Sequence, residues 1–104
     1  MTEEKYVEGL ERIAKHYGAE HQIVKAAEEL SEAATAAIRY SAALRDDDRI
    51  DRYMNLIEEL ADAEVMIAQL KILFPNLEAA MAYVRSKKVT RQLERIKEEE
   101  REEL

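Results

Sequence analysis

Only three residues in this 104-residue chain, Gly9, Gly18 and Pro75, belong to the types that readily interrupt regular backbone. Ala, Glu, Leu, Lys and Arg dominate the rest, which is the composition of a helical protein. Thr2, Glu3 and Glu4 form a good helix start, Tyr6, Leu10, Ile13 and Tyr17 recur at helical spacing, and Gly18 is the natural stop. A first helix over 3–17 is therefore expected. A second periodic segment covers 20–45, and "RDDDR" at 45–49 reads as a turn with one Asp capping the helix that follows. That helix runs over 49–73 and ends before Pro75.

In the last segment Leu77, Met81 and Val84 make one stripe and Val89, Leu93 and Ile96 another. The two are rotated by roughly 120° on an ideal helix, so a kink or break near Ser86 is expected. The end, "KEEEREEL" (97–104), has no apolar partner spacing and is expected to fray or stay solvated. The length suits one domain, 1–104, with one modest core. The expected fold is all-α: an antiparallel bundle of four to five helices. Val65, Met66, Ile67, Leu70, Ile72 and Leu73 point almost all round their helix. Such a helix is covered on every side, within its own domain or by another subunit, and a homo-oligomer, dimer or tetramer, is expected.

A formal net charge of −7 disfavours nucleic acid polymers and anionic membrane surfaces as partners. The chain has no cysteine, so disulfides and thiolate chemistry do not arise, in keeping with a cytoplasmic setting. The most apolar window, "VMIAQLKILF", is interrupted by Gln69 and Lys71 and falls far short of the roughly 20 residues of a membrane span.

The acidic residues carry more information. "EELSEA" at 28–33 is echoed by "EELADA" at 58–63. With 23 Asp and Glu in the chain, acids three apart are common, and a solvated face is their usual meaning. Glu29/Glu32 and Glu59/Asp62 differ from the others because both pairs sit mid-helix beside a Leu/Ala stripe, and each has a further acid upstream, Glu28 or Glu58. On the earlier helix that stripe is Ile23, Ala27, Leu30, Ala34, Ala37 and Leu44. If the two helices pair antiparallel about a turn near 47, the first and third of these acids are offset by roughly 9 Å along the axis, a gap that crossing angle and long Glu side chains can reduce. Four carboxylates gathered there repel and desolvate one another. A hard divalent cation removes the conflict, and all-oxygen ligands indicate Mg²⁺ or Mn²⁺.

Other chemistries find no support. A di-iron bundle needs Glu-x-x-His on two helices, and neither His16 nor His21 lies three residues after a Glu. Both read as surface or helix-end residues. There is no zinc spacing, no glycine-rich phosphate loop and no Ser-His-Asp set.

"KAAEELSEA" followed by "NLIEELADAEVMIAQLKILF" resembles the MazG-like all-α nucleoside triphosphate pyrophosphohydrolases, whose mark is Glu-x-x-Glu followed by Glu-x-x-Asp. The resemblance covers roughly residues 10–97 and includes "KKVTRQLERI". It implies hydrolysis of a nucleoside triphosphate to monophosphate and pyrophosphate, in the clearing of unwanted nucleotides. By matching positions, Glu29, Glu32, Glu59 and Asp62 hold Mg²⁺, which neutralises polyphosphate and activates water. Glu28 or Glu58 takes the proton from that water or supports a ligand.

Lys25 reads equally as a phosphate contact or as an ion-pair partner of Glu29. Lys88, Arg91 and Arg95 form a basic stripe where the family places phosphate contacts, or a solvated surface. Tyr17, Gln22, Tyr40, Tyr53 and Tyr83 are available to a base and equally read as core or interface residues. The competing function is a non-catalytic helical oligomerisation or regulatory module whose acids are solvated.

Overall fold

A computed structural model describes residues 1–104 and contains three helices and no strand: α1 (Glu3–Ala42), α2 (Arg49–Leu73) and α3 (Leu77–Glu103). The chain divides into two compact units, Met1–Phe74 and Pro75–Leu104. The fold is all-α as expected. As expected, helical backbone stops at Gly18, which is non-helical (φ 84, ψ 168), so α1 is two helical segments joined at a kink there. The expected break near Ser86 is absent, and α3 is continuous through it, with Thr90 Oγ1 donating to the Ser86 carbonyl at 3.0 Å. None of α3's residues is buried, so its two rotated stripes need not face one partner and nothing forces a kink. The acidic end is solvated as expected yet helical to Glu103, where Arg101 pairs with Glu98 at 3.1 Å.

In the first unit α1 and α2 form a hairpin. Gln22 meets Gln69, Glu29 meets Asp62, and the Tyr40 and Tyr53 rings lie 5.3 Å apart. Numbers fall on one helix as they rise on the other, so the helices are antiparallel. Thr2 caps α1, its hydroxyl accepting from the Lys5 N–H at 3.1 Å. Ala43 closes it, donating its N–H to the carbonyls of Arg39 and Tyr40. Asp48 holds the cap position of α2 but makes no side-chain cap bond; its carboxylate pairs with Arg52 at 3.5 Å instead.

The seam is not the Leu/Ala stripe expected from the sequence. Beyond Gly18 the buried positions of α1 are Gln22, Ala26, Glu29, Ala33 and Ala36, continued by Ala43 just past its end, and on α2 they are Ala63, Met66 and Gln69. Their alternating four- and three-residue spacing is that of a helix–helix seam, and small side chains let the two backbones approach closely. The sequence stripe lies roughly 100° away on α1, leaving Ile23 and Leu30 about half exposed. On α2, Tyr53, Ile57 and Leu60 are about half exposed too. Because both helices are right-handed and run antiparallel, these side chains emerge on one side of the hairpin, away from Glu28, Glu32, Glu58 and Asp62.

A buried alanine methyl contributes only about 1 kcal/mol. The hairpin's largest apolar side chains are thus spent on its outer face rather than its seam. Farther along α2, Met66 is buried and Val65, Ile67, Leu70, Ile72 and Leu73 are half-buried.

In the second unit α3 starts after Asn76, which adopts a left-handed conformation (φ 54). Arg85 pairs with Glu78 at 3.1 Å, and the Lys87 ammonium sits 4.6 Å above the Tyr83 ring. No helix is long and apolar enough to cross a membrane.

Candidate metal centre

The antiparallel register interlocks the two acid pairs. Glu29 on α1 lies level with Asp62 on α2, and Glu32 lies beside Glu59. Comparing the first acid of one pair with the second of the other removes the axial offset expected from the sequence. Carboxylate oxygens of Glu29, Glu59 and Asp62 all lie within 4.8 Å of one another. Glu32 is exposed and stands outside that set, close enough to share a hydrogen bond with Glu59.

The surroundings of these acids set them apart from a solvated face. Glu29 is only 9 % exposed and occupies the seam itself. Its Oε1 receives the Lys25 ammonium at 3.2 Å. Its Oε2, and the Oε2 of Glu59, are buried and have no hydrogen-bond partner. Buried polar atoms are nearly always paired, so two orphaned carboxylate oxygens in one cluster could accept a ligand that brings positive charge. Desolvation is the main cause that raises the Glu59 pKa above the ordinary Glu value, followed by the charge of Glu32, the shared hydrogen bond, and the charges of Asp62 and Glu29. A cation relieves every one of these. Three or four oxygen donors with no nitrogen or sulfur fit Mg²⁺ or Mn²⁺.

The remaining sequence candidates are placed as follows. Glu28 is exposed and 3.5 Å from Lys25, and Glu58 is exposed on α2. Neither belongs to the three-carboxylate set. Lys25 bridges Glu28 and Glu29, and those hydrogen bonds and charges, Glu29's first, raise its pKa. Lys88, Arg91 and Arg95 are exposed on α3, in the second unit. His16 and His21 are exposed, as expected.

Two cavities lie on the first unit, one reaching Lys25 and Glu28 and the other Glu32 and Glu59. Toward Gly18 lies a cleft of about 900 Å³, walled by Tyr17, His21, Gln22, Lys25, Glu28 and Gln69 among others. Tyr17 and His21 stack at 4.7 Å. Gln22 and Gln69 are both buried, and Gln22 Nε2 donates to Gln69 Oε1 at 2.6 Å. His21 Nδ1 lies 2.7 Å from Gln22 Oε1, so with the amide oxygen accepting, Nδ1 carries the proton. The sequence reading missed this amide bridge. Its signal was a Gln at a seam position on each helix, hidden while the seam was drawn through the larger apolar residues. Toward the hairpin turn lies a smaller cavity of about 240 Å³, bordered by Ser31, Glu32, Thr35, Arg39, Asn55 and Glu59.

No family model, curated protein or solved structure matches this chain.

Proposed function

We propose that this protein is a Mg²⁺-dependent nucleoside triphosphate pyrophosphohydrolase, with Mn²⁺ able to substitute, acting in clearance of unwanted nucleotides in the cytoplasm. The observation that carries the reading is the pair of buried, unpartnered carboxylate oxygens on Glu29 and Glu59 within a three-carboxylate cluster. The resemblance of both acid motifs to the MazG-like enzymes supplies the reaction. Glu29, Glu59 and Asp62 would hold the cation, with Glu32 completing the set. When bound, the cation neutralises the polyphosphate and lowers the pKa of water.

The chain's own groups then do the following. Glu28 or Glu58, solvated at the edge of the cluster, accepts the proton of the attacking water. The water oxygen bonds to the α-phosphorus, the bond from that phosphorus to the bridging oxygen breaks, and pyrophosphate leaves. Lys25 faces the substrate from the cleft side, its charge already poised by two carboxylates. The flat Tyr17–His21 stack and the neighbouring amides suit a base.

The exposed Ile23, Leu30, Ile57 and Leu60 favour a homo-oligomer, dimer or tetramer, since contiguous apolar surface of this kind marks interaction sites. The same face also supports the second reading, a helical oligomerisation module without catalysis. Asp62→Asn and Glu32→Gln separate the two. The enzyme reading expects turnover to be abolished in both while the helical circular dichroism is kept. Full metal-dependent activity in either variant removes that residue from the cation site.

A further inference from the structure

The small cavity on the turn side of the cluster has chemistry of its own. It takes in Glu59 of the three-carboxylate cluster and Glu32 beside it, so anything within it would border a cation held there. Arg39 lies two helix turns beyond Glu32, on the same face of α1. Its guanidinium makes no ion pair, despite an excess of acids in the chain. Ser31 adds a hydroxyl from α1 and Asn55 an amide from α2. Thr35 is different, because its hydroxyl already donates to the Ser31 carbonyl at 3.1 Å. The free donors in this cavity are therefore a planar guanidinium, one hydroxyl and one amide, a set suited to phosphate oxygens.

We propose that Arg39, assisted by Ser31 and Asn55, binds the distal phosphates of the substrate, which leave as pyrophosphate. This rests on the proposed function and extends it, because it gives the substrate a direction along the hairpin. The base lies toward Gly18, in the aromatic and amide cleft, and the pyrophosphate end lies toward the hairpin turn. Lys25 is unsuited to the distal role: it sits at the opposite end of the cluster, held by Glu28 and Glu29. The carboxylates of Glu32 and Glu59 repel an anion in the small cavity until a cation neutralises them. Pyrophosphate binding at Arg39 is thus metal-dependent, and by linkage pyrophosphate strengthens metal binding in return.

The test is calorimetric titration of the full chain with inorganic pyrophosphate, with Mn²⁺ and with EDTA, for wild type, Arg39→Ala and Arg39→Lys. In parallel, the melting temperature of each protein is measured with Mn²⁺ alone. The expected result is metal-dependent binding, weakened roughly tenfold or more in Arg39→Ala and partly restored in Arg39→Lys. The Mn²⁺-induced rise in melting temperature should be unchanged in both variants, since Arg39 touches no proposed ligand. Wild-type pyrophosphate affinity in Arg39→Ala overturns the assignment and leaves the metal site standing. Binding that survives EDTA overturns the metal dependence. Absence of any Mn²⁺ effect on wild-type melting overturns the metal site, and the Arg39 assignment with it.

Discussion

Replacing Glu29 by Met in the metal-free protein should stabilise the fold, although the substitution removes a charged residue and its ion pair. Glu29 sits in the α1–α2 seam, nine-tenths buried, between the small residues Ala26 and Ala33. Its Oε2 has no donor, and a buried acceptor left unsatisfied costs about 1–3 kcal/mol. Methionine occupies a similar length of side chain without that cost. Against the gain stands the lost contact with Lys25 at 3.2 Å. The lysine side chain is 46 % exposed and keeps Glu28 at 3.5 Å, so solvent screens the lost pair and little stability goes with it. The balance favours Glu29→Met by about 1 kcal/mol, which raises the melting temperature by about 4–8 °C in a domain of this size. Differential scanning fluorimetry in EDTA reads this directly. Repeating the scan with divalent cation reverses the order, because saturation at a hundred times the dissociation constant adds about 2.7 kcal/mol to the wild type only. A variant less stable than wild type in EDTA, or one that keeps the wild-type response to Mg²⁺ or Mn²⁺, would refute the argument that Glu29 is a buried ligand held at a cost.

Two further outcomes follow from the same physics. The Glu59 pKa is raised in the fold, so the folded state holds this proton more tightly than the unfolded chain. The destabilisation present at neutral pH is therefore relieved as pH falls through the raised value, and no further change is expected below the ordinary value of 4.5. In EDTA, Glu59→Gln should be more stable than wild type at pH 7, with the gap closing on acidification; urea titrations across that range check it, and a gap that widens in acid contradicts it. Gly18→Ala should cost about 1–3 kcal/mol, since φ 84, ψ 168 is a region open essentially to glycine alone. A Cβ there meets nothing within 4 Å, so the whole cost is backbone strain, and an unchanged urea midpoint would show that the interruption of α1 is not required.

Punctuation and acids were readable from the sequence because each depends on local chemistry. Gly18 and Pro75 mark where helical backbone fails, and the two acid pairs, three residues apart on separate helices, fall on one face whatever the packing. The seam was not readable. A helical wheel draws attention to the largest apolar side chains, and on that basis Ile23 and Leu30 looked inward. The hairpin closes instead on alanines one position earlier, with Gln22 and Glu29 among them. Small residues carry a weak hydrophobic signal, and a buried amide or carboxylate carries the opposite one. The same shift made the site appear to border the seam when Glu29 lies within it. The expected break in α3 failed for a related reason: two stripes on different faces conflict only if one partner must receive both.

The most direct test of the account is pyrophosphate release from a panel of ribo- and deoxynucleoside triphosphates, with Mg²⁺ or Mn²⁺ and with EDTA. Nucleoside monophosphate and pyrophosphate should form in equal amounts, only with the cation, and not in Asp62→Asn. Folded wild-type protein that turns over no triphosphate with either cation would contradict it, and the paired acids at 29–32 and 59–62 would then belong to a binding module rather than an enzyme.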